Sequence, residues 1–195
     1  MKSISEAYIS KLQEENIANG LDIVKIRYAL AVLKDELIKT ILLICIFALL
    51  GQLKPFLMVM LLILPIRLST GGIHFQRNIP CFLFSLGYFL VAVCLLPLLK
   101  VELTFLYSVL GLSILTIAVC PLAPSEKRPI ISRKKYLQNK YFSLIYLVIF
   151  TFILLSSIEN QAIIGMCIWA LALHATELLF IRVHKRKGGL TCFKN

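Results

Sequence analysis

No two cysteines in this chain stand at a spacing that would hold a metal or suggest a disulfide. The six (Cys45, Cys81, Cys94, Cys120, Cys167 and Cys192) fall singly, four of them inside apolar runs. That excludes both a disulfide framework and a structural zinc site, and neither a metal nor another cofactor is expected. Single buried cysteines usually behave as small hydrophobes. Also missing is any stretch with soluble-domain composition. The 195 residues are 59% hydrophobic with mean hydropathy +0.86, whereas an ordinary soluble domain is about 45–50% apolar. Apolar runs recur along the chain, and each helical crossing of a bilayer uses about 20 residues, so no sizeable soluble domain fits. No small-residue cleavage site follows the first apolar run near Ile41. A removable signal peptide is therefore not expected, and the first span is expected to direct insertion. Acidic residues are few, ten against 21 Lys and Arg.

What is present reads as an all-α polytopic membrane protein. Residues 1–39 suggest two amphipathic helices: Ser3 with Glu6 forms a capping box, and Asn19-Gly20 offers a break before a helix bearing Leu21, Val24, Tyr28 and Val32. Mixed charge opposite an apolar stripe suits a helix lying on a membrane surface; a partner-binding or solvated arm fits equally well. Six spans are then expected at about 40–53, 55–66, 80–99, 103–123, 141–157 and 162–181, with Lys54-Pro55 as a tight turn between the first two. A basic tail, 182–195, follows.

Lys and Arg accumulate on the cytoplasmic side of short loops. A six-span arrangement with both ends inside puts six of them in the N-terminal arm, Arg67 and Arg77 in the 67–79 loop, six in the 124–140 loop and five in the tail, leaving only Lys54 and Lys100 outside. The formal net charge of +11 is then one-sided, and it attracts anionic membrane lipids or an acidic cytoplasmic partner. Nucleic acid is not expected as a partner, because the basic runs are juxtamembrane and no recognition fold carries them. Solvated topology anchors are the plainer reading of these charges.

One loop carries chemistry. Arg67-Leu-Ser-Thr-Gly-Gly-Ile-His74-Phe-Gln-Arg-Asn-Ile-Pro80-Cys81 joins the second and third apolar runs and sets a histidine near a cysteine. An imidazole that removes a thiol proton gives a thiolate able to attack a carbonyl. Seven helical residues would separate the two by about 10 Å, so the segment must bend. Gly71-Gly72 gives access to positive φ. Pro80 suits the first helical position of the third span, which sets Cys81 in its first turn, where the helix dipole favours a thiolate. The bland alternative is a solvated histidine and a packing cysteine. Arg67 is either a snorkelling anchor or a fixed cation that binds a substrate carboxylate or carbonyl oxygen. Glu177, a carboxylate inside a span and one turn from His174, could pair with Arg67, orient His74 or do neither. His174 lies deep in an apolar run and His184 in the basic tail, and neither is expected to act. No residue in the loop is an evident orienter of His74, so a Cys81/His74 dyad is expected.

Arg67 followed by Gly71-Gly72-x-His74 and Cys81, behind an amphipathic arm, resembles the accessory gene regulator protein B (AgrB) family, bacterial membrane cysteine endopeptidases of quorum sensing. Pro121-Leu-Ala-Pro124-x-x-x-Arg128-Pro129-Ile130, followed by Arg133-Lys134-Lys135, is similar to that family's loop between the fourth and fifth spans, and length and basic bias agree along nearly the whole chain. The resemblance implies Cys81 as nucleophile, His74 as general base, and Arg67 with Gly72 as supporting residues; Gly71 is expected as a further active-site support, and Glu177, a support candidate as well, lies outside that carry-over. It implies as substrate an AgrD-like propeptide with an amphipathic leader, a central Cys or Ser and an acidic C-terminal tail. The tail would be removed and a thiolactone or lactone ring closed. It further implies a multi-pass protein of the bacterial cell membrane with its active site at the cytoplasmic rim, and a homodimer, for which the sequence carries no interface signature. Two other classes fit six spans: a peptide exporter subunit working through Glu177 and His174, and a membrane sensor or scaffold working through its arm and tail.

Overall fold

A computed structural model of the chain describes residues 20–73, 78–99, 101–123, 132–157 and 160–187. The described residues form six helices and no strand: α1 (Gly20–Leu49), α2 (Leu53–Thr70), α3 (Asn78–Leu98), α4 (Leu103–Val119), α5 (Arg133–Ser157) and α6 (Gln161–Lys187). The all-α reading holds. Four of the six, α2, α3, α5 and α6, are long and apolar enough to cross a membrane, and α4 is apolar but only 17 residues long. The capping box at Ser3 and Glu6, and Asn19, lie outside the described residues.

The chain divides into two units, one ending at Ile46 and the other beginning at Phe47. In the first, α1 runs without interruption through residues 39 and 40, where an arm was expected to give way to a span. The physical reason is plain: no Gly or Pro stands between Leu21 and Leu50, so nothing breaks the hydrogen-bond ladder. Lys34, Asp35, Glu36 and Lys39 are thereby carried inside a helix, with Lys39 Nζ 3.2 Å from Glu36 Oε1 one turn away.

In the second unit, the turn between α1 and α2 lies at Gly51 rather than at Lys54-Pro55. Gly51 adopts φ 68°, its N–H donates to Ala48 O at 3.1 Å, and the Gln52 N–H donates to Phe47 O at 2.9 Å. This is the Schellman closure, which favours glycine at the left-handed position. Pro55 falls instead in the first turn of α2, where a missing N–H costs nothing. Pro65 lies deeper in α2 and orphans the carbonyl four residues before it. The Tyr146 hydroxyl of α5 donates to that carbonyl, Leu61 O, at 2.7 Å.

The aromatic core of this unit is Phe47 stacked on Phe56 with centroids 4.4 Å apart, and Phe89 set edge-on to Phe56 at 5.0 Å. α3 passes into a π-helical turn at Val91–Leu95 and a 3-10 turn at Leu96–Leu98. Pro97 cannot donate to the carbonyl of residue 93 and crowds it, so the helix widens before it. α4 ends at Cys120, whose backbone is extended. Lys140 of α5 reaches across so that its Nζ donates to Ile117 O at 2.8 Å and Cys120 O at 2.5 Å, satisfying carbonyls that a helix C-terminus leaves unpaired. The 124–140 segment expected as a loop is thus helical from Arg133 onward; residues 124–131 lie outside the described residues. Asn160 opens α6, its Oδ1 accepting from the N–H of Ala162 at 3.0 Å, a side-chain N-cap.

α6 is the central helix. Of its apolar window 67% is buried, against 33%, 22% and 28% for α2, α3 and α5, and it packs on α2, α4 and the π-helical turn of α3. Two polar side chains of α6, His174 and Glu177, are consequently surrounded by protein.

Candidate functional site

The end of α2 is fixed by a backbone only glycine accepts. Gly71 has φ 85° and ψ −166°, a region essentially restricted to residues without a side chain. A Cβ there would overlap the carbonyl of Ala123. That carbonyl belongs to the extended segment after α4, which pairs with Gly71 through an isolated parallel bridge, the Ala123 N–H donating to Thr70 O at 2.7 Å.

From this corner the chain meets a buried polar network on α6. Arg67 Nη2 donates to Glu177 Oε1 at 2.7 Å, and the Ile73 N–H donates to the same oxygen at 2.6 Å. His174 Nδ1 lies 3.3 Å from Glu177 Oε2, and His174 Nε2 lies 2.9 Å from the Thr70 hydroxyl oxygen. The Thr70 hydroxyl also donates to Ile66 O at 2.8 Å, so it has a single proton for two neighbours, and which of Thr70 and Nε2 donates to the other follows the tautomer of the His174 ring. The side chains of Glu177 and His174 are 4% and 0% exposed, and that of Arg67 16%. Arg67 therefore points inward rather than snorkelling. Gly72 makes room for the network: a Cβ on it would lie 2.8 Å from Glu177 Oε1 and 3.0 Å from Arg67 Nε.

The Arg67 guanidinium also sits over two rings of α3, 5.5 Å from the centroid of Phe84 and 5.2 Å from that of Tyr88. These are cation–π distances. Tyr88 is tied down in turn, its hydroxyl donating to Ala170 O of α6 at 2.6 Å. Positions 81, 84 and 88 share one stripe of a helix, so Cys81 stands one turn before Phe84 on the stripe that Arg67 covers. The described helix begins at Asn78, which makes Pro80 its third residue and Cys81 its fourth, still in the first turn. Cys81 is partly buried.

Of the residues singled out from sequence, Arg67, Gly71, Gly72 and Glu177 converge here. Cys81 opens the helix beside them, and His74, with residues 75–77, lies outside the described residues. Cys192 and Arg128 do so as well. His174 and Thr70 were missed. The available signal was the spacing of His174 and Glu177, which sets both on one face of a helix in a run otherwise too apolar to hold either alone. The residues on which a transport reading would rely are satisfied by one another and by α2. Among the described residues, no group of three or more His, Cys, Asp or Glu could hold a metal ion.

A membrane protein of helices, with a clamped Gly-Gly corner leading to a cysteine at the start of a helix, is the class that fold and site define. The Accessory gene regulator B family model matches residues 5–179, and the chain belongs to that family. It is 30% identical over 112 residues to a protein of Clostridium beijerinckii described as AgrB-like, an alignment covering 56% of this chain and 55% of that one. The match thus spans about half the length of that relative. No solved structure matches the chain. Family membership supports a role in the accessory gene regulator quorum-sensing system.

Proposed function

We propose that the protein is a membrane cysteine endopeptidase that removes the acidic C-terminal tail of a small AgrD-like propeptide and promotes closure of its thiolactone or lactone ring. The observation that carries the reading is Cys81 in the first turn of α3, on the stripe covered by Arg67 and just beyond the corner that α6 holds. The first turn of a helix favours an anionic sulfur, and partial burial limits competing water.

His74 takes the proton of Cys81 Sγ, and the sulfur adds to the scissile carbonyl. The C–N bond then breaks, and the tail leaves as an amine carrying the proton returned by His74. A thioester remains on Cys81. The substrate's own thiol or hydroxyl passes its proton to the now neutral His74, attacks that thioester and expels the Cys81 thiolate, which closes the ring. With a thiol the exchange replaces one C–S bond by another and is nearly balanced, so ring closure outruns hydrolysis only where water is excluded and the substrate nucleophile is held close.

Recognition of an acidic tail is supported by the start of α5. Arg133, Lys134 and Lys135 are exposed in its first turn. Cations at a helix N-terminus oppose the macrodipole, so these three do not serve that helix. They suit an acidic segment at a cytoplasmic surface, the side to which the distribution of Lys and Arg assigns both termini and the active-site rim.

The test uses membranes containing the protein and a propeptide with an amphipathic leader, a central Cys and an acidic tail, with products read by mass spectrometry. Cys81→Ser and His74→Ala are expected to insert at normal levels and to leave the propeptide intact. Cleavage surviving in both variants would falsify the reading.

A further inference from the structure

We propose that Glu177, His174 and Thr70 are positioning residues for Cys81 and His74, forming a clamp that fixes the backbone corner from which the reactive segment departs. The proposal rests on the thiol chemistry argued above.

The Glu177 carboxylate is buried on the central helix and gathers donors from three sources: the Arg67 side chain, the Ile73 backbone and the His174 ring. The Ile73 N–H is the informative one. It lies beyond the end of α2 and has no helical partner, so the carboxylate of α6 is what holds that peptide unit, and His74 is the next residue in the chain. On the other side of the corner, the His174 ring meets Thr70, the last residue of α2. Two points of one segment, residues 70 and 73, are therefore anchored to one turn of α6. Gly71 and Gly72 lie between them, and both approach their neighbours too closely for a Cβ.

The other end of the reactive segment is held by the same network. Arg67 bridges Glu177 to Phe84 and Tyr88 on the Cys81 stripe of α3. The described stretches that end at Ile73 and begin at Asn78 thus both refer back to Glu177. An apolar pair would pack α6 against α2 as well or better, since desolvating an ion pair offsets much of its attraction. What an apolar pair cannot do is fix a loop peptide by a hydrogen bond. Such fixing matters for catalysis, because a misplacement of about 1 Å can cost about a hundredfold in rate.

The probe is iodoacetamide, which alkylates thiolates. Full-length protein in detergent is treated at pH 7, and the rate at Cys81 is read by peptide mass spectrometry, which separates it from the other cysteines. A thiol of ordinary acidity is only a few per cent ionised at neutral pH. His74→Ala, Glu177→Gln, His174→Gln and Thr70→Val are each expected to react about tenfold more slowly than the parent protein, while Thr70→Ser, which keeps the hydroxyl, reacts at the parental rate. Near pH 10, where an ordinary thiol is mostly ionised, all of them react alike. A packing defect would lower the yield of protein without following the hydroxyl at position 70 or vanishing at high pH.

Gly72→Ala, which pushes on the same carboxylate from the loop side, is expected to match Glu177→Gln, and with the Thr70 pair it decides the matter if the α6 variants do not fold. A slow His74→Ala beside parental rates in the clamp variants that fold overturns the clamp and leaves the thiol reading standing. Parental rates throughout, His74→Ala included, overturn both.

Discussion

Replacing Gly71 by alanine should damage the protein far more than the same change at Gly51, although both glycines have positive φ. At Gly51 (φ 68°) a Cβ meets nothing within 4 Å, so Gly51→Ala carries only the cost of a left-handed alanine, about 1 kcal/mol. At Gly71 the backbone lies in a region that is nearly glycine-only, worth about 2 kcal/mol for another residue. In addition, the new Cβ overlaps the Ala123 carbonyl. Relieving that overlap moves the 121–123 segment and gives up the Ala123 N–H bond to Thr70 O, a further loss of about 1 kcal/mol. The sum is about 3 kcal/mol against about 1, and at roughly 2–4 °C per kcal/mol for a chain of this size the expected falls in melting temperature are about 9 °C and about 3 °C. Thermal unfolding of the detergent-solubilised variants, followed by circular dichroism, measures both. Melting temperatures for the two variants within a degree or two of each other would refute the account of the Gly71 corner.

Lys140→Met should lower stability by about 2 kcal/mol, because it removes charged hydrogen bonds to the end of α4; a variant as stable as the parent in the same melt counts against that cap. Phe56→Ala, at the centre of the Phe47–Phe56–Phe89 cluster, should cost about 3–5 kcal/mol, and a loss below about 1 kcal/mol in denaturant titration would contradict the packing described. Tyr88→Phe keeps the ring under Arg67 and loses only the bond to Ala170 O, so it should cost about 1 kcal/mol. Tyr88→Ala, which also removes the ring, should cost several times more in the same unfolding assay. Glu177→Ala, which leaves the half-buried Arg67 without its carboxylate partner, should cost about 3 kcal/mol, and the double variant Arg67→Met/Glu177→Ala should recover part of it in the same unfolding assay.

Much of the molecule was legible in its sequence because the responsible forces act locally. Apolar runs of crossing length define helices without reference to partners, since a backbone in lipid must satisfy its own hydrogen bonds. Gly71-Gly72 marked a bend, and Cys81 was expected in the first turn of the next helix, where it lies although that helix already begins at Asn78, two residues before Pro80. Helix ends were less legible. Lys54-Pro55 looked like a turn, but a proline is as content in a first helical turn as in a loop, and Gly51 closed α1 instead. The basic stretch before Tyr141 looked like a loop because charge was read as exposure. From Arg133 onward it is helix, and Lys140 spends its charge on the carbonyls of α4.

An all-helical membrane protein, its excess of Lys and Arg over acidic residues, and a Gly-Gly corner followed by a cysteine between the second and third apolar runs could all be read locally, because hydrophobic length, charge and glycine content are properties of short segments. The hold that α6 exerts on the Gly-Gly corner, from more than a hundred residues away, emerges from the packing of the folded chain. That a carboxylate at 177 receives the peptide N–H of 73, and that a histidine at 174 meets the hydroxyl of 70, follows from which helix sits at the centre of the packing, and no local pattern carries that information.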